Sequence, residues 1–116
     1  MISGLYIVIP AKNEQKNLLK VIKKFQKYGK IIVVNDNSKD LTKKISEKNA
    51  YKVINNIQTL GYDFSIRKGI MKVLKFKNAK YILTVDADGQ HPIVNFKKII
   101  KNMLFYDLII FNRKKL

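Results

Sequence analysis

Cysteine and tryptophan are absent from this 116-residue chain, histidine occurs once, and eight acidic residues face 24 lysines and arginines. Each scarcity excludes something. Without cysteine there is neither a disulfide framework nor a zinc-thiolate site, which fits a reducing compartment. No apolar run approaches the roughly 18 residues of a membrane-spanning helix; the longest are short stretches such as 5–9 and 108–111. The first ten residues carry no basic start and reach Pro10 quickly, so they do not read as a secretory leader. The chain is expected to be cytoplasmic, either soluble or peripheral at a membrane surface.

What is present is a core. Hydrophobic residues make up 47% of the chain, which excludes a disordered segment, and the length is that of one small domain. The net charge of +16 invites a polyanion partner. The lysines, however, run along the whole chain, and no aromatic-interleaved basic motif of the RNA-binding kind occurs. Solvated lysine faces, rather than a dedicated nucleic-acid site, account for the charge. An attraction to phosphate, on a nucleotide or a lipid, survives that reading.

The pattern alternates between two periods. Leu5–Ile9, Ile31–Val34, Tyr51–Ile54, Tyr81–Val85 and Leu108–Phe111 are short β-branched or apolar runs that predict buried strands. Between them, apolar residues at helical spacing predict helices over 14–28, from Asp40 or Ser38 as a cap to about Lys48, over 65–76 and over 94–104. Strand and helix in alternation imply an α/β fold: a Rossmann-like, mostly parallel sheet with helices on both faces. Ligands of such sheets bind beyond the carboxyl ends of the strands. The polar loops 10–14, 35–38 and 86–91 all follow strands directly, so they converge on one edge.

The stretch YILTVDADGQHP ends an apolar run on two acids one residue apart, in a chain poor in acids. Alternate residues leaving a strand point the same way. Asp86 and Asp88 can therefore share one hard divalent cation, with the Gln90 amide oxygen on the same parity and Gly89 permitting a sharp turn. A helix cap at Asp86 and a turn role for Asp88 would explain the same pair without a metal; the apolar strand before and the Gly-Gln-His-Pro after favour the cation. His91 is either a substrate contact or a solvated loop histidine. Asp36, ending the second strand, can accept from a base edge or a ribose hydroxyl, or make an Asx turn. Glu14 suits the first turn of a helix with or without a ligand.

With these loops in hand, the chain resembles the nucleotide-binding half of a family 2 glycosyltransferase of GT-A fold, in a truncated form. VIPAKNE is similar to that family's opening strand and loop, and IIVVNDNSKDLT to its VVDDGSxDxT segment. LGYDFSIRKGI is similar to NxGxxxAxxxGI, and YILTVDADGQHP to the DxD strand, with His-Pro resembling the polyprenyl-phosphate (dolichyl-phosphate) branch. The resemblance implies inverting sugar transfer from a UDP- or GDP-sugar, assisted by Mg²⁺ or Mn²⁺, to a lipid phosphate or saccharide. It further implies that Pro10, Ala11, Asn13 and Glu14 hold the nucleoside and Asp36 its base or ribose. Asp86, Asp88 and Gln90 would bind the metal. Arg67 stands where the family has a basic residue near the nucleotide loop, and Arg113 where the arginine of DLVIGSR faces phosphate.

The chain departs from the pattern at Asn35 for Asp, Asn37 for Gly, Thr59 for Asn, and at Asp63 and Phe64 for small residues. Members of the family also run on into an acceptor-binding part. Residues 1–116 are accordingly expected to be a single nucleotide-sugar-binding domain lacking that part, with a second chain as one source of it. No general base stands out among the acids, and the catalytic residue is unassigned. A phosphohydrolase of the haloacid dehalogenase type also uses DxDG after a strand, but early in its chain and with a later lysine and acidic pair. A nucleotide- or polyanion-binding remnant without turnover is the non-enzymatic alternative.

Overall fold

The computed structural model describes residues 1–89. The helix expected over 94–104 and the strand over 108–111 lie outside the described residues, as do Gln90, His91 and Arg113. Seven elements follow in order: β1 (Leu5–Ala11), α1 (Leu18–Phe25), β2 (Lys30–Asn35), α2 (Thr42–Asn49), β3 (Lys52–Asn55), α3 (Tyr62–Leu74) and β4 (Tyr81–Thr84). The strands form one sheet in the order β3-β2-β1-β4, and every pair is parallel. The α/β reading and the parallel sheet stand.

The two central strands are the β-branched runs LYIVIPA and KIIVVN, buried along their whole length except at half-buried Lys30. Period-two alternation divides them between two cores. Leu5, Ile7, Ile9, Ala11, Ile31 and Val33 face α1, which inserts Leu18, Val21, Ile22 and Phe25, with Ile45 of α2 packed alongside. Tyr6, Val8, Ile32 and Val34 face the opposite way, onto Val73 of α3. Helices thus cover both faces. Each fully buried Ile, Leu or Val removes apolar surface worth about 1.5–3 kcal/mol from water. Gly69 lets α3 lie directly on β1: a Cβ there would overlap the Val8 side chain.

The helix expected over 65–76 runs from Tyr62 to Leu74, and the one expected to reach residue 28 ends at Phe25. Two further boundaries differ from the sequence expectation for identifiable reasons. β1 runs on through Pro10 to Ala11, pairing Pro10 with Val34 and Ala11 with Asn35. The carbonyl of Ala11 accepts from Asp36 N–H on the β2 side, whereas that of Val8 accepts from Val85 N–H on the β4 side. Alternation then turns the backbone of Pro10 toward β4, where pairing has already ended at Val8 and Thr84. The missing N–H costs nothing on the β2 ladder and stops the β4 ladder. Similarly, α1 starts at Leu18 rather than Glu14: residues 15–17 form a turn, in which the Glu14 carbonyl accepts from both Asn17 N–H at 3.1 Å and Leu18 N–H at 2.9 Å.

Topology then fixes where the sheet opens. From β1 the chain steps outward through β2 to β3, and α3 carries it back across to β4 on the other side of β1. The strand order reverses between β1 and β4, and a crevice forms beyond their carboxyl ends.

Candidate functional site

The crevice holds a cavity of about 550 Å³. Its lining comes from all the loops on that edge: Pro10, Ala11, Lys12 and Glu14 after β1, Asp36 after β2, Thr59 and Gly61 before α3, Tyr62 and Ser65 on α3, and Asp86, Ala87 and Asp88 after β4. Six residues singled out from sequence therefore meet there: Pro10, Ala11, Glu14, Asp36, Asp86 and Asp88. Asn13 and Arg67 are not among the lining residues.

The two aspartates follow β4 in the alternating register expected of them. Val85 and Ala87 are buried in the core under α1, and Asp86 and Asp88 between and beyond them are half-buried on the cavity side. Gly89 has φ +80, the left-handed turn for which glycine was expected. The donor set is carboxylate oxygen, which suits Mg²⁺ or Mn²⁺. Among the described residues no three His, Cys, Asp or Glu side chains converge on one metal position. Two aspartates would leave the remaining positions to phosphate oxygens and water, the usual arrangement for Mg²⁺.

Asp36 is buried and its carboxylate is gripped by the protein. Oδ1 accepts from Leu60 N–H at 2.8 Å and Asn56 Nδ2 at 2.9 Å, and Oδ2 from Gly61 N–H at 3.0 Å. Burial alone would push its carboxyl up, but these three bonds and the positive field of Lys12 outweigh it and hold the group below its ordinary value. Asn56 is engaged through both amide atoms: Nδ2 also donates to Ser65 Oγ at 3.2 Å, and Oδ1 accepts from Lys68 Nζ at 3.1 Å. This buried hub fixes the loop before α3. Three acceptor positions of Asp36 are filled, leaving room for one further donor.

Asn35 shows what its departure from Asp does. Nδ2 donates to Asn55 Oδ1 at 2.9 Å, across the register that pairs the two residues, and Oδ1 accepts from Ser38 N–H at 3.2 Å. A carboxylate could not make the first bond. Asn37 adopts φ 56, so the left-handed turn is kept without glycine.

Asn13, expected at the nucleoside, works between loops. Its N–H donates to Ser38 Oγ, its Oδ1 accepts from Lys39 N–H, and Gln15 pairs with Asp40 and Leu41 in the same reciprocal way. With Glu14 N–H on Thr42 Oγ1, five hydrogen bonds lock the loop after β1 to the loop after β2. Neither Asp40 nor Ser38 is the N-cap of α2, which is Leu41; Asp40 instead turns the chain just ahead of the helix, its Oδ1 accepting from Thr42 N–H at 2.9 Å, and Ser38 is committed to Asn13. Burial raises the Asp40 carboxyl, and the hydrogen bonds from Thr42 and Gln15 more than reverse this. Glu14 goes the other way: burial first, then the negative fields of Asp88 and Asp40, raise its carboxyl despite a hydrogen bond with Asn17.

Arg67 is exposed on α3, its guanidinium 5.9 Å from the centre of the Phe64 ring. Sequence reasoning missed Lys12, the one basic side chain among the described lining residues, although it stands inside the motif PAKNE. It also missed Tyr62, whose hydroxyl donates to Asp86 Oδ1 at 2.6 Å. An aromatic residue directly after the glycine of LGYDFS was the available signal.

Known proteins agree with this architecture. The model of glycosyl transferase family 2 matches residues 6–115. An uncharacterised protein of Methanocaldococcus jannaschii is 37% identical over 113 residues, covering 94% of this chain and 46% of that protein. The UDP-N-acetylglucosamine–dolichyl-phosphate N-acetylglucosaminyltransferase of Methanococcus voltae is 31% identical, covering 86% of this chain and 47% of its own. Glucosyl-3-phosphoglycerate synthase of Mycobacterium tuberculosis, solved with Mn²⁺, UDP and glucosyl-3-phosphoglycerate, superimposes with TM-score 0.69 at 18% identity. That superposition covers 90% of this chain and 41% of the synthase, and shows a shared GT-A fold. The chain thus spans about half the length of the curated relatives it matches. It belongs to glycosyl transferase family 2, and its relatives include the dolichyl-phosphate sugar transferases.

Proposed function

We propose that this chain is the nucleotide-sugar-binding half of a metal-dependent, inverting glycosyltransferase that draws on a UDP- or GDP-sugar and delivers to a polyprenyl phosphate or a related lipid or saccharide acceptor. The observation that carries this reading is the cavity at the β1–β4 switch point, into which four of the chain's eight acids are gathered: Glu14, Asp36, Asp86 and Asp88. Like charges at this density are tolerable if a cation arrives with the ligand.

In this reading Pro10 and Ala11 form the wall against which the nucleoside lies. Asp36, with one acceptor position left, takes a donor from the base or ribose while keeping the Leu60–Gly61 backbone in place. Lys12 faces the diphosphate, and Glu14 closes the nucleoside end. Asp86 and Asp88 would hold Mg²⁺ or Mn²⁺, which when bound would supply positive charge to balance that of a diphosphate. Gln90 and Arg113 remain assigned by resemblance alone, to metal and phosphate respectively.

The acceptor assignment is supported by the Methanococcus voltae relative, whose name specifies dolichyl phosphate, and the cation by the Mn²⁺ and UDP bound to the synthase of like fold. A phosphate acceptor is anionic near pH 7, its second pKa being about 6, so it needs less help from a base than a hydroxyl does. No helix among the described residues is long and apolar enough to cross a membrane. With a charge of +16, peripheral contact with an anionic lipid surface on the cytoplasmic side is the expected location. The acceptor-binding part would come from sequence that the relatives have and this chain does not cover, on the same or a second polypeptide.

Calorimetric titration of UDP and GDP, with Mn²⁺ and with EDTA at physiological salt, tests the reading. One nucleotide is expected to bind, and its binding to vanish with EDTA. Salt-sensitive binding of any polyanion, with no nucleotide or metal preference, would instead make the chain a basic surface.

A further inference from the structure

We infer that Tyr62 is a positioning residue for Asp86, setting the aim of that carboxylate toward a divalent cation carrying a nucleoside diphosphate. The inference rests on the donor-site reading above and adds a residue to it. Tyr62 opens α3 immediately after Gly61, whose N–H is held by Asp36 Oδ2 and whose carbonyl accepts from Ser65 N–H at 3.1 Å. The backbone under the ring is therefore anchored to the buried Asp36–Asn56–Ser65 hub. The ring itself is 54% exposed. Its hydroxyl reaches the cavity and donates to Asp86 Oδ1 at 2.6 Å, short as bonds to a carboxylate are.

The acceptor of that bond is Asp86. Its backbone is fixed, because Val85 and Ala87 on either side are buried at 3% and 4% exposure, but its half-buried side chain projects into an open cavity. Rotamer freedom of a carboxylate must be surrendered when a cation binds, and any bond that already holds it reduces that cost. A hydrogen bond from a rigid ring with two side-chain torsions removes much of that freedom beforehand. Ligands oriented by such outer partners typically bind metal about 10–100-fold more tightly than those left unsupported.

The residue type also matters. A lysine or arginine at this place would orient Asp86 equally well but would compete with the cation for its charge. A phenol orients without neutralising, so Asp86 keeps the full charge that a hard cation requires. The contact also crosses the switch point, joining the start of α3 to the end of β4. Occupation of the metal position is thereby linked through Tyr62 and Gly61 to Asp36 at the nucleoside end.

Mn²⁺ binding to the 116-residue chain, followed by the electron paramagnetic resonance of free Mn²⁺ alone and with UDP or GDP, tests this. Tyr62→Phe is expected to weaken Mn²⁺ binding about 10-fold, both alone and with nucleotide, with thermal stability unchanged. Tyr62→Lys, which keeps a donor but adds charge, is expected to weaken it at least as much. Wild-type Mn²⁺ affinity in Tyr62→Phe overturns the positioning role while leaving the metal reading intact. Wild-type affinity in Tyr62→Lys overturns the argument from neutrality. If the unaltered chain binds no Mn²⁺, with or without nucleotide, the metal reading fails and the role of Tyr62 falls with it.

Discussion

The two ends of this one sheet are built on opposite principles. At the amino end, Tyr6 stacks on Phe76 with ring centres 5.0 Å apart, Tyr51 meets Phe76 edge-on at 6.3 Å, and Lys30 lies 4.6 Å from the centre of the Tyr51 ring. Tyr6 completes the cluster by donating to Asn78 Oδ1 at 2.7 Å. Apolar area and cations over rings hold that end, and nothing in it calls for a ligand. At the carboxyl end, half of all the acids surround a cavity, and the loops that carry them are held by side chains bonding to backbone N–H groups. One end contributes stability. The other gathers four carboxylates around one cavity.

That contrast can be broken by substitution at either end. The largest effect is expected from Asp88→Asn at the carboxyl end: Mn²⁺-dependent nucleotide affinity should fall at least about 100-fold, with the melting temperature unchanged or raised, because one of several repelling charges is gone. Titration calorimetry beside a thermal melt checks both halves, and unchanged Mn²⁺-dependent affinity removes Asp88 from the metal site.

Asp36→Ala is expected to blur the contrast, since this residue serves both purposes. Removing the carboxylate orphans Leu60 N–H, Gly61 N–H and an Asn56 donor, a loss of about 3 kcal/mol, and it should weaken nucleotide binding without removing metal dependence. Acid titration of stability supplies the control. Asp36 has a lowered carboxyl in the folded state, so its contribution is fully present above its ordinary value of 3.8 and is lost as pH falls through the lower folded value. Denaturation curves of the variant should lack this share of the acid limb; an identical limb would mean that the three bonds contribute little. If UDP and GDP affinities also stay unchanged, Asp36 serves the loop alone.

The smallest effect is expected from Phe76→Ala at the amino end. Phe76 is half-buried, so the loss should be about 2 kcal/mol, below the usual cost for a fully buried ring. Nucleotide binding at temperatures well below the melt should be untouched. A change in affinity there would mean that the two ends are coupled through the sheet.

The fold was legible wherever composition is forced by burial. The strands at 5–9 and 31–34 are β-branched because both faces of the sheet are covered there, and period and length identify them without further help; β3 and β4, also expected to be buried, are half-buried to exposed. The site was legible to the extent that it follows strand parity: Asp86 and Asp88 lie on one side because Val85 and Ala87 must lie on the other. Long-range contacts were not legible. Asn13 looks like a loop residue free to meet a ligand, yet its bonds to Ser38 and Lys39 depend on β1 and β2 lying side by side. The saturation of Asp36 by Leu60 and Gly61, and the reach of Tyr62 to Asp86, likewise join positions that only the crossover by α3 brings together. Local pattern carries information about faces, not about which loops become neighbours.

Pro10 has a consequence for how the cavity is entered. Two adjacent parallel strands tend to go on pairing like a zip, and each further rung would draw Pro10 toward residue 85 and narrow the gap between them. The ring nitrogen has no hydrogen to offer as that rung, so the zip stops at Val8 whether or not anything is bound. A ligand of the crevice would therefore find an opening already there and need not break sheet to enter. The doorway is secured by a covalent ring rather than by the weak bonds around it.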